Sequence, residues 1–227
     1  MDAQTRYWNG AAATAVFTHP LDIGLLSRHV KTTSRILDFG CGYGRSLAEL
    51  RAHGFTNVTG VDTSEAMVER ARRLVPGAPI AVVRGVPTPH ADASFDAVLL
   101  FSVLTCTPGD EDQRRLLAEV VRLLTPGGIL YLSDFLLQGD RRNRERYRRS
   151  QQRFATYGVF ELDDGAVLRH HEPERILELT AAFEPVKNES FPVATMNGNP
   201  ARGVRFLGRK TAGPPGPASA RPAEGSP

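Results

Sequence analysis

The segment SRILDFGCGYGRS, residues 34–46, decides the fold of this chain. A short apolar run up to Phe39 leads directly into glycines at positions 40, 42 and 44, and a segment of helical period follows them. Glycines at a strand-to-helix turn let the backbone bend tightly and approach a ligand, and the open amides at the helix start face that ligand. The segment therefore predicts a ligand-binding loop at the carboxyl edge of a parallel sheet.

Strand and helix patterns alternate from this loop onward. Short apolar runs predict strands at residues 34–39, 57–62, 79–85, 95–101 and 128–135. Helices are expected over about residues 45–53, from 64 and from 110, the last with Asp110 and Gln113 in capping-box spacing and Pro126 at its end. Consecutive strand-helix-strand units have right-handed crossovers, so this pattern predicts an α/β fold with a doubly wound sheet.

The regular alternation of strand and helix patterns ends after residue 136. The arginine-rich stretch Arg141 to Arg153 predicts a helix, residues 157–171 alternate around a turn as in a hairpin, and Pro173 begins another helix before two last strand-like runs. We therefore expect one domain over residues 1–210, with a cap inserted over 136–172. Residues 211–227 are rich in proline and glycine without large apolar side chains, and this composition predicts a disordered tail.

Composition excludes several classes of protein. The 227 residues are 41% hydrophobic and include two cysteines, Cys41 and Cys106, without metal-ligand spacing, which is typical of a reducing cytoplasm and predicts neither a disulfide framework nor a metal site. No apolar run approaches the roughly 18 residues of a membrane helix, and no leader is expected at the N-terminus. The net charge of +3 comes from one segment, since the seven arginines and one glutamate of Arg141 to Arg153 give +6 and leave −3 elsewhere.

The second predicted strand ends in Asp62, which is placed to accept hydrogen bonds from both hydroxyls of a ribose. A dinucleotide fingerprint would need a glycine at position 45, where this chain has Arg45, so the spacing argues against a nicotinamide cofactor. The glycine loop and Asp62 together predict a nucleoside-binding site.

Four ordered segments resemble the class I S-adenosylmethionine-dependent methyltransferases, in particular the small-molecule branch often called methyltransferase domain 11 or 25. ILDFGCGYGR is similar to the first motif of that family, VTGVDTSEAMVERAR to the second, ADASFDAVLLFSVL to the strand 4 motif and EVVRLLTPGGILYLSD to the strand 5 motif. The resemblance covers about Arg35 to Phe135. It implies a Rossmann-like sheet of seven strands with an antiparallel last pair, S-adenosylmethionine as cofactor, and methyl transfer to an oxygen, nitrogen or carbon of a small molecule.

The resemblance also implies which residues hold the cofactor. They are Asp38, Gly40, Cys41 and Gly42 around the methionine part, Asp62 at the ribose, Thr63, Met67, Gly85 and Val86 near the adenine, and Phe101, Ser102 and Val103 under the methionyl group. The chain departs from the family pattern at Leu104-Thr105, where many members have an acidic-His or His-His pair, so that motif offers no catalytic base here.

Histidine is the side chain that titrates near neutrality, and methyl transfer to oxygen or nitrogen often requires loss of a proton. His19, His170 and His171 flank regions expected to cover the pocket, and they are the candidate bases. Neighbouring residues of a strand face opposite sides, so at most one of His170 and His171 is expected to point inward. Tyr7 and Trp8 are expected to close over the site from the N-terminus.

Other functions remain open at this point. The basic segment Arg141 to Arg153 fits an RNA methyltransferase, although a substrate cap is favoured because only Tyr147 interrupts the run of charges. An acidic or phosphorylated small acceptor would suit an arginine-rich cap. A protein that binds S-adenosylmethionine without catalysis and a nicotinamide-dependent reductase are further alternatives.

Overall fold

The computed structural model describes residues 3–163 and 165–211 of the chain. Of the expected disordered tail, residues 211–227, only Thr211 belongs to the described part, so the prediction for the rest lies outside the described residues.

Strands form one large sheet and one small hairpin. Within the described ranges the strands are β1 Ile36–Phe39, β2 Val58–Asp62, β3 Ile80–Val82, β4 Phe95–Phe101, β5 Leu124–Phe135, β6 Val159–Glu161, β7 Val167–Arg169, β8 Phe183–Ala194 and β9 Pro200–Lys210. The large sheet has the order β3-β2-β1-β4-β5-β9-β8. Strands β1 to β5 pair in parallel, whereas β9 is antiparallel to both β5 and β8. The predicted doubly wound, seven-stranded sheet with an antiparallel last pair is confirmed.

Helices cover both faces of this sheet. They are α1 Ala3–Ala11, α2 Ile23–Ser27, α3 Arg45–Ala52, α4 Glu65–Leu74, α5 Asp110–Leu123, α6 Arg141–Phe154 and α7 Pro173–Leu179. Ser64 begins α4 as predicted, because its hydroxyl accepts a hydrogen bond from the Met67 amide at 3.2 Å.

Helix α5 begins at Asp110 as predicted, but the predicted capping box and the predicted end near Pro126 are wrong. Gly109, not Asp110, is the N-cap, and the Gln113 amide donates to the Leu104 and Thr107 carbonyls instead of reaching back to the helix start. The helix also ends at Leu123, and β5 has already begun when the chain reaches the turn at Pro126. Tertiary hydrogen bonds therefore use the side chain that the sequence pattern assigned to a cap.

Two apolar layers sandwich the sheet, and alternate residues of each strand enter opposite layers. Leu37 and Phe39 of β1 pack in the layer that includes the apolar side chains of α5 and α7, whereas Ile36 packs in the layer that includes α2, α3 and α4. Burial on both faces explains why the central strands are continuously apolar. This packing fixes the carboxyl ends of β1, β2 and β4 side by side.

A cap made of α6 and the β6-β7 hairpin follows β5, as the sequence predicts. Tyr147 of α6 is completely buried, and its hydroxyl accepts a hydrogen bond from the Gln138 amide at 3.2 Å and lies 2.6 Å from Nδ1 of His170. Beyond the hairpin, the His171 amide donates to the Phe135 carbonyl at 3.0 Å. These contacts attach the cap to the carboxyl end of β5, next to the glycine loop.

Within residues 3–163 and 165–211, no helix has the length and apolar content needed to cross a membrane.

Candidate active site

The glycine loop between β1 and α3 leaves no room for side chains. Gly40 and Gly42 adopt φ values of +75° and +52°, which side-chain-bearing residues rarely adopt. A Cβ atom at Gly40 would lie 2.5 Å from Cγ2 of Val103, and one at Gly42 would overlap the ring of Phe17. The loop is therefore a bare backbone cradle, wedged between the end of β4 and the N-terminal segment.

Asp62 at the end of β2 is fixed against this loop. Its Oδ2 accepts a hydrogen bond from the Gly42 amide at 2.8 Å, and its Oδ1 accepts one from the Ser64 amide at 2.9 Å. Burial raises the pKa of Asp62, and the backbone hydrogen bonds oppose that rise. A carboxylate has about four acceptor positions, so both oxygens keep capacity for hydroxyl donors of a ligand.

Asp38 and Arg45 form the polar floor of the loop. Asp38 is 2% exposed, and burial raises its pKa to about 7 although the Arg45 charge lowers it and the Asp62 charge raises it further. One terminal nitrogen of Arg45 donates to the His19 carbonyl, while its Nε is buried without a partner in the part of the chain that the structure describes. A ligand with both a cationic and an anionic group would complement this pair.

A cavity of about 690 Å³ joins these groups to the cap. All of the residues that the sequence assigns to the cofactor border it, namely Asp38, Gly40, Cys41, Gly42, Asp62, Thr63, Met67, Gly85, Val86, Phe101, Ser102 and Val103. The cavity continues past His19 and Phe135 to Phe160 and His170 of the cap region. Its volume is within the roughly 300–1,000 Å³ of small-molecule pockets.

These features fit S-adenosylmethionine. The bare cradle admits close approach, the spare acceptor positions of Asp62 suit a ribose, and the Asp38 and Arg45 pair suits an amino acid group. The cavity bordering them is large enough to extend beyond the nucleoside end towards a second molecule.

Comparison with known proteins agrees with this geometry. Residues 37–132 match the family described as "Methyltransferase domain". The crystal structure of an S-adenosylmethionine-dependent methyltransferase from Methanosarcina mazei superimposes with a TM-score of 0.79 at 25% sequence identity, over 85% of this chain and 100% of that chain. Over residues 37–132 the chain therefore carries a methyltransferase domain, and its fold is that of the class I S-adenosylmethionine-dependent methyltransferases.

Curated relatives match a shorter part of this chain. An O-methyltransferase of Aspergillus nomiae is 28% identical over 64% of this chain and 66% of its own length. The 27-O-demethylrifamycin SV methyltransferase of Amycolatopsis mediterranei is 33% identical over 58% of this chain and 50% of its own length. The chain thus spans less than two thirds of the length of these two relatives.

His19 borders the cavity next to the glycine loop. It is 2% exposed, its Nδ1 lies 2.8 Å from Oγ of Ser133, and its Nε2 is buried without a partner among the described residues. Burial, together with the Arg45 charge, lowers the pKa of His19 to about 3, so the imidazole is neutral at physiological pH. Nε2 is therefore an unpartnered polar atom of a ring that packs edge to face against Phe135 and Phe191.

His170 and His171 face opposite sides, and only His170 borders the cavity in the described part of the chain. The buried Tyr147 hydroxyl has His170 Nδ1 as the acceptor for its proton, which places the proton of neutral His170 on Nε2. His171 instead contacts Gln113 at 2.8 Å through its Nε2 and donates to the Phe135 carbonyl at 3.2 Å through its Nδ1. The candidate role of His171 as a base at the site is thus contradicted by its position, because extended backbone turns it away.

Several lining residues were not predicted from the sequence. They are Phe17 from the N-terminal segment, Phe135 at the end of β5, Phe160 and Leu168 of the hairpin, and Arg142 and Arg146 of α6. Two signals were available, because Arg142 and Arg146 have the spacing of one helix face, and Phe160 and Leu162 alternate along the hairpin. Tyr7 and Trp8 do border the cavity, as the sequence led us to expect.

Proposed function

We propose that this chain transfers a methyl group from S-adenosylmethionine to an oxygen, nitrogen or carbon nucleophile of a small molecule. The observation that carries the proposal is the continuity of one cavity from the glycine loop and Asp62 to the aromatic residues under the cap. A donor and an acceptor bound side by side in one cavity can be held in the geometry that in-line displacement requires. The names of the curated relatives, which include O-methyltransferases, support the same reaction.

S-Adenosylmethionine supplies a methyl group on a positively charged sulfur, which is already an activated electrophile. Asp62 would hold the ribose, Asp38 and Arg45 would hold the charged groups of the methionine part, and Phe101 to Val103 would support the methionyl group from below. The protein then contributes mainly alignment and exclusion of water, which supply up to roughly 7–11 kcal/mol in favourable cases.

His19 is the residue we assign to the proton of the acceptor, in preference to His170. Its unpartnered Nε2 accepts that proton in the tautomer whose Nδ1–H donates to Oγ of Ser133, whereas the hydrogen bond from Tyr147 leaves His170 Nε2 as a donor. A neutral imidazole with a pKa of about 3 is a weak base towards a free hydroxyl. A hydroxyl that is gaining a methyl group is strongly acidic, so the proton would move to His19 late in the reaction.

The way α1 and the cap border the acceptor end supports a small molecule over RNA. Helix α1 and the cap both border the cavity, and of the seven arginines in α6 only Arg142 and Arg146 reach it among the described residues. The two cysteines are free, and both border the cavity, which supports a reducing compartment such as the cytoplasm.

Labelled methyl transfer tests the proposal. Purified protein is incubated with methyl-labelled S-adenosylmethionine and a lysate separated into fractions below 3 kDa and above 30 kDa. We expect label in the small fraction, and none with Asp62→Ala. Label confined to RNA or protein would overturn the small acceptor, and binding without transfer in any fraction would identify a non-catalytic binding protein.

A further inference from the structure

Only two of the arginines in α6 turn towards the cavity. Arg142 and Arg146 are one helical turn apart and both border it, whereas Arg144 and Arg148 project elsewhere. Arg141 is paired with Glu145 at 2.8 Å, which leaves the cavity-facing pair distinct from the solvent-facing charges. No ion pair of Arg142 or Arg146 with a carboxylate is found within the described residues.

The acids near this pair are already engaged. Asp140, the N-cap of α6, accepts hydrogen bonds from the backbone amide of Asn143 at 3.0 Å and from its side-chain amide at 2.6 Å. Asp112, which also borders the cavity, is paired with Arg115, while Asp38 and Asp62 belong to the cofactor end. Among the described residues, Asp140 therefore offsets the charge of Arg142 and Arg146 only from beyond ion-pair distance, and the pair keeps net positive charge at the cavity.

Arg146 is partly withdrawn from water. Its guanidinium carbon lies 4.5 Å from the centre of the Phe160 ring, and its one hydrogen bond is a long contact of 3.4 Å to Oδ1 of Asn143. Burial lowers the pKa of Arg146, and the neighbouring charge of Arg142 lowers it further. A desolvated cation next to a like charge is costly, and an anion bound between the two would relieve that cost.

Aromatic side chains form the walls next to the arginine pair. The His170 ring lies 5.4 Å from the Phe135 ring in a tilted arrangement and 4.9 Å from the Phe160 ring edge to face. Burial is the main reason that the pKa of His170 falls to about 3, so this ring is neutral and behaves as part of an apolar wall. Flat aromatic molecules pack well against such walls.

We infer that the methyl acceptor is a planar aromatic molecule carrying an anionic oxygen group, a carboxylate or phosphate, which Arg142 and Arg146 bind. The aromatic body would lie along Phe135 and Phe160, and guanidinium groups match planar oxyanions well. The inference rests on the proposed methyltransferase function, because it assigns the cap end of the same cavity to the acceptor.

Calorimetry with a matched pair of probes tests the inference. The probes are 2-naphthoate and 2-naphthamide, which share one shape and differ in charge, titrated into protein saturated with S-adenosylhomocysteine. We expect naphthoate to bind at least 10-fold more tightly than naphthamide. The double variant Arg142→Gln with Arg146→Gln should lose this preference while its affinity for naphthamide is unchanged, and phenyl phosphate should follow naphthoate.

Arg148→Gln is the matched control, since it removes one charge from the same helix without bordering the cavity, and it should keep the preference. Equal binding of the two probes, a preference that survives in the double variant, or an equal loss in Arg148→Gln would overturn the inference. Arg142 is exposed, so Arg142→Gln alone reports a partial loss of about 3-fold or more even where Arg146→Gln impairs folding. If the protein binds S-adenosylhomocysteine but does not prefer naphthoate to naphthamide, only this inference is wrong. If it does not bind S-adenosylhomocysteine, the proposed function is wrong as well.

Discussion

Asp62 is the residue whose geometry is most completely prepared for a ligand. Backbone amides of Gly42 and Ser64 hold its two oxygens at 2.8 and 2.9 Å, so the carboxylate does not have to reorient when a ribose arrives. Preorganisation of this kind reduces the entropic cost of binding. Replacing the carboxylate therefore removes hydrogen bonds that are already oriented.

We predict that Asp62→Ala weakens binding of S-adenosylhomocysteine by about 100-fold or more. Two hydrogen bonds from hydroxyls to a charged acceptor are worth about 1.5–3 kcal/mol each, and 1.4 kcal/mol corresponds to tenfold in affinity. Isothermal calorimetry measures the change. Glu69→Ala on the exposed face of α4 is the control and should bind normally. Unchanged affinity in Asp62→Ala would remove the ribose role.

His19 offers a prediction that separates chemistry from binding. Its replacement by alanine removes the free Nε2 but leaves the cradle and Asp62 intact, so we expect kcat to fall by about 100-fold while the affinity for S-adenosylhomocysteine stays within about twofold. Turnover of the acceptor found by labelling is the measurement. His53→Gln, at an exposed position at the end of α3, should be silent. A loss of cofactor affinity instead of kcat would assign His19 a purely structural role.

At the scale of elements, the central strands were predictable because each is buried on both faces. Burial on both faces requires a continuous run of apolar residues, and such a run is visible in the sequence whichever strands lie beside it. Helix α1 was not predicted, since it depends on tertiary contacts: Trp8 packs edge to face on Phe17 at 5.9 Å, and Asn9 accepts a hydrogen bond from the Ser64 hydroxyl at 2.7 Å. The role of the arginine segment was likewise hidden, because only the docking of Tyr147 decides which face of α6 meets the cavity.

In the site, too, some parts were predictable from the sequence and others depend on tertiary contacts. Cofactor residues follow strand ends whose positions a parallel sheet fixes, and these were predictable from spacing and resemblance. The acceptor end is assembled from α1, the cap and the chain before α2, which approach one another only in the folded protein. Sequence spacing therefore indicated His170 and His171 equally, and the extended backbone at β7 decided between them.

Helix α1 borders the cavity, and its Gln4 side chain gives a prediction at the same scale. The Gln4 amide donates to the Cys106 carbonyl at 2.8 Å and to the Val167 carbonyl at 2.7 Å, joining α1 to the chain after β4 and to β7. Each hydrogen bond contributes about 1 kcal/mol net, so we expect Gln4→Ala to speed dissociation of S-adenosylhomocysteine by about 5- to 30-fold.

Trp8 provides the signal for that measurement, because it is the only tryptophan of the sequence and it borders the cavity. Stopped-flow fluorescence during displacement of S-adenosylhomocysteine gives the dissociation rate. Arg6→Ala, at an exposed position of the same helix, is the matched control and should leave the rate unchanged. Equal rates in Gln4→Ala and the unmodified protein would mean that α1 does not limit release.

At the scale of the whole molecule, the site concentrates buried groups that titrate between pH 3 and 7. Burial is the largest cause in lowering the pKa of His19, His170 and His171 to about 3, and in raising that of Asp38 to about 7 and that of Asp134 to about 6. The two sets affect stability in opposite directions. As the pH falls, each histidine binds a proton in the unfolded chain before it does so in the folded chain. Each aspartic acid instead binds its proton in the folded chain before it does so in the unfolded chain.

These signs predict how the free energy of unfolding depends on pH. For these five groups, the unfolded chain carries three extra histidine protons between about pH 6 and 4 and the folded chain carries two extra carboxyl protons, so their balance is one net proton in favour of unfolding. Stability should therefore fall by about 1.4 kcal/mol per pH unit on acidification through this range. Below about pH 4 the carboxyls of the unfolded chain are protonated too, and the loss should steepen to about 4 kcal/mol per unit.

Urea unfolding from pH 8 to 3.5 measures this slope, and two variants test its origin. Asp134→Asn removes one proton-binding group of the folded chain, so the slope of the free energy of unfolding between pH 6 and 4 should double. His171→Gln removes one proton-binding group of the unfolded chain, so the free energy of unfolding should not change over that range. The Thr105 hydroxyl remains beside position 134 and limits the structural disturbance of the first variant. Identical slopes in both variants would mean that these buried groups do not set the acid stability of the protein.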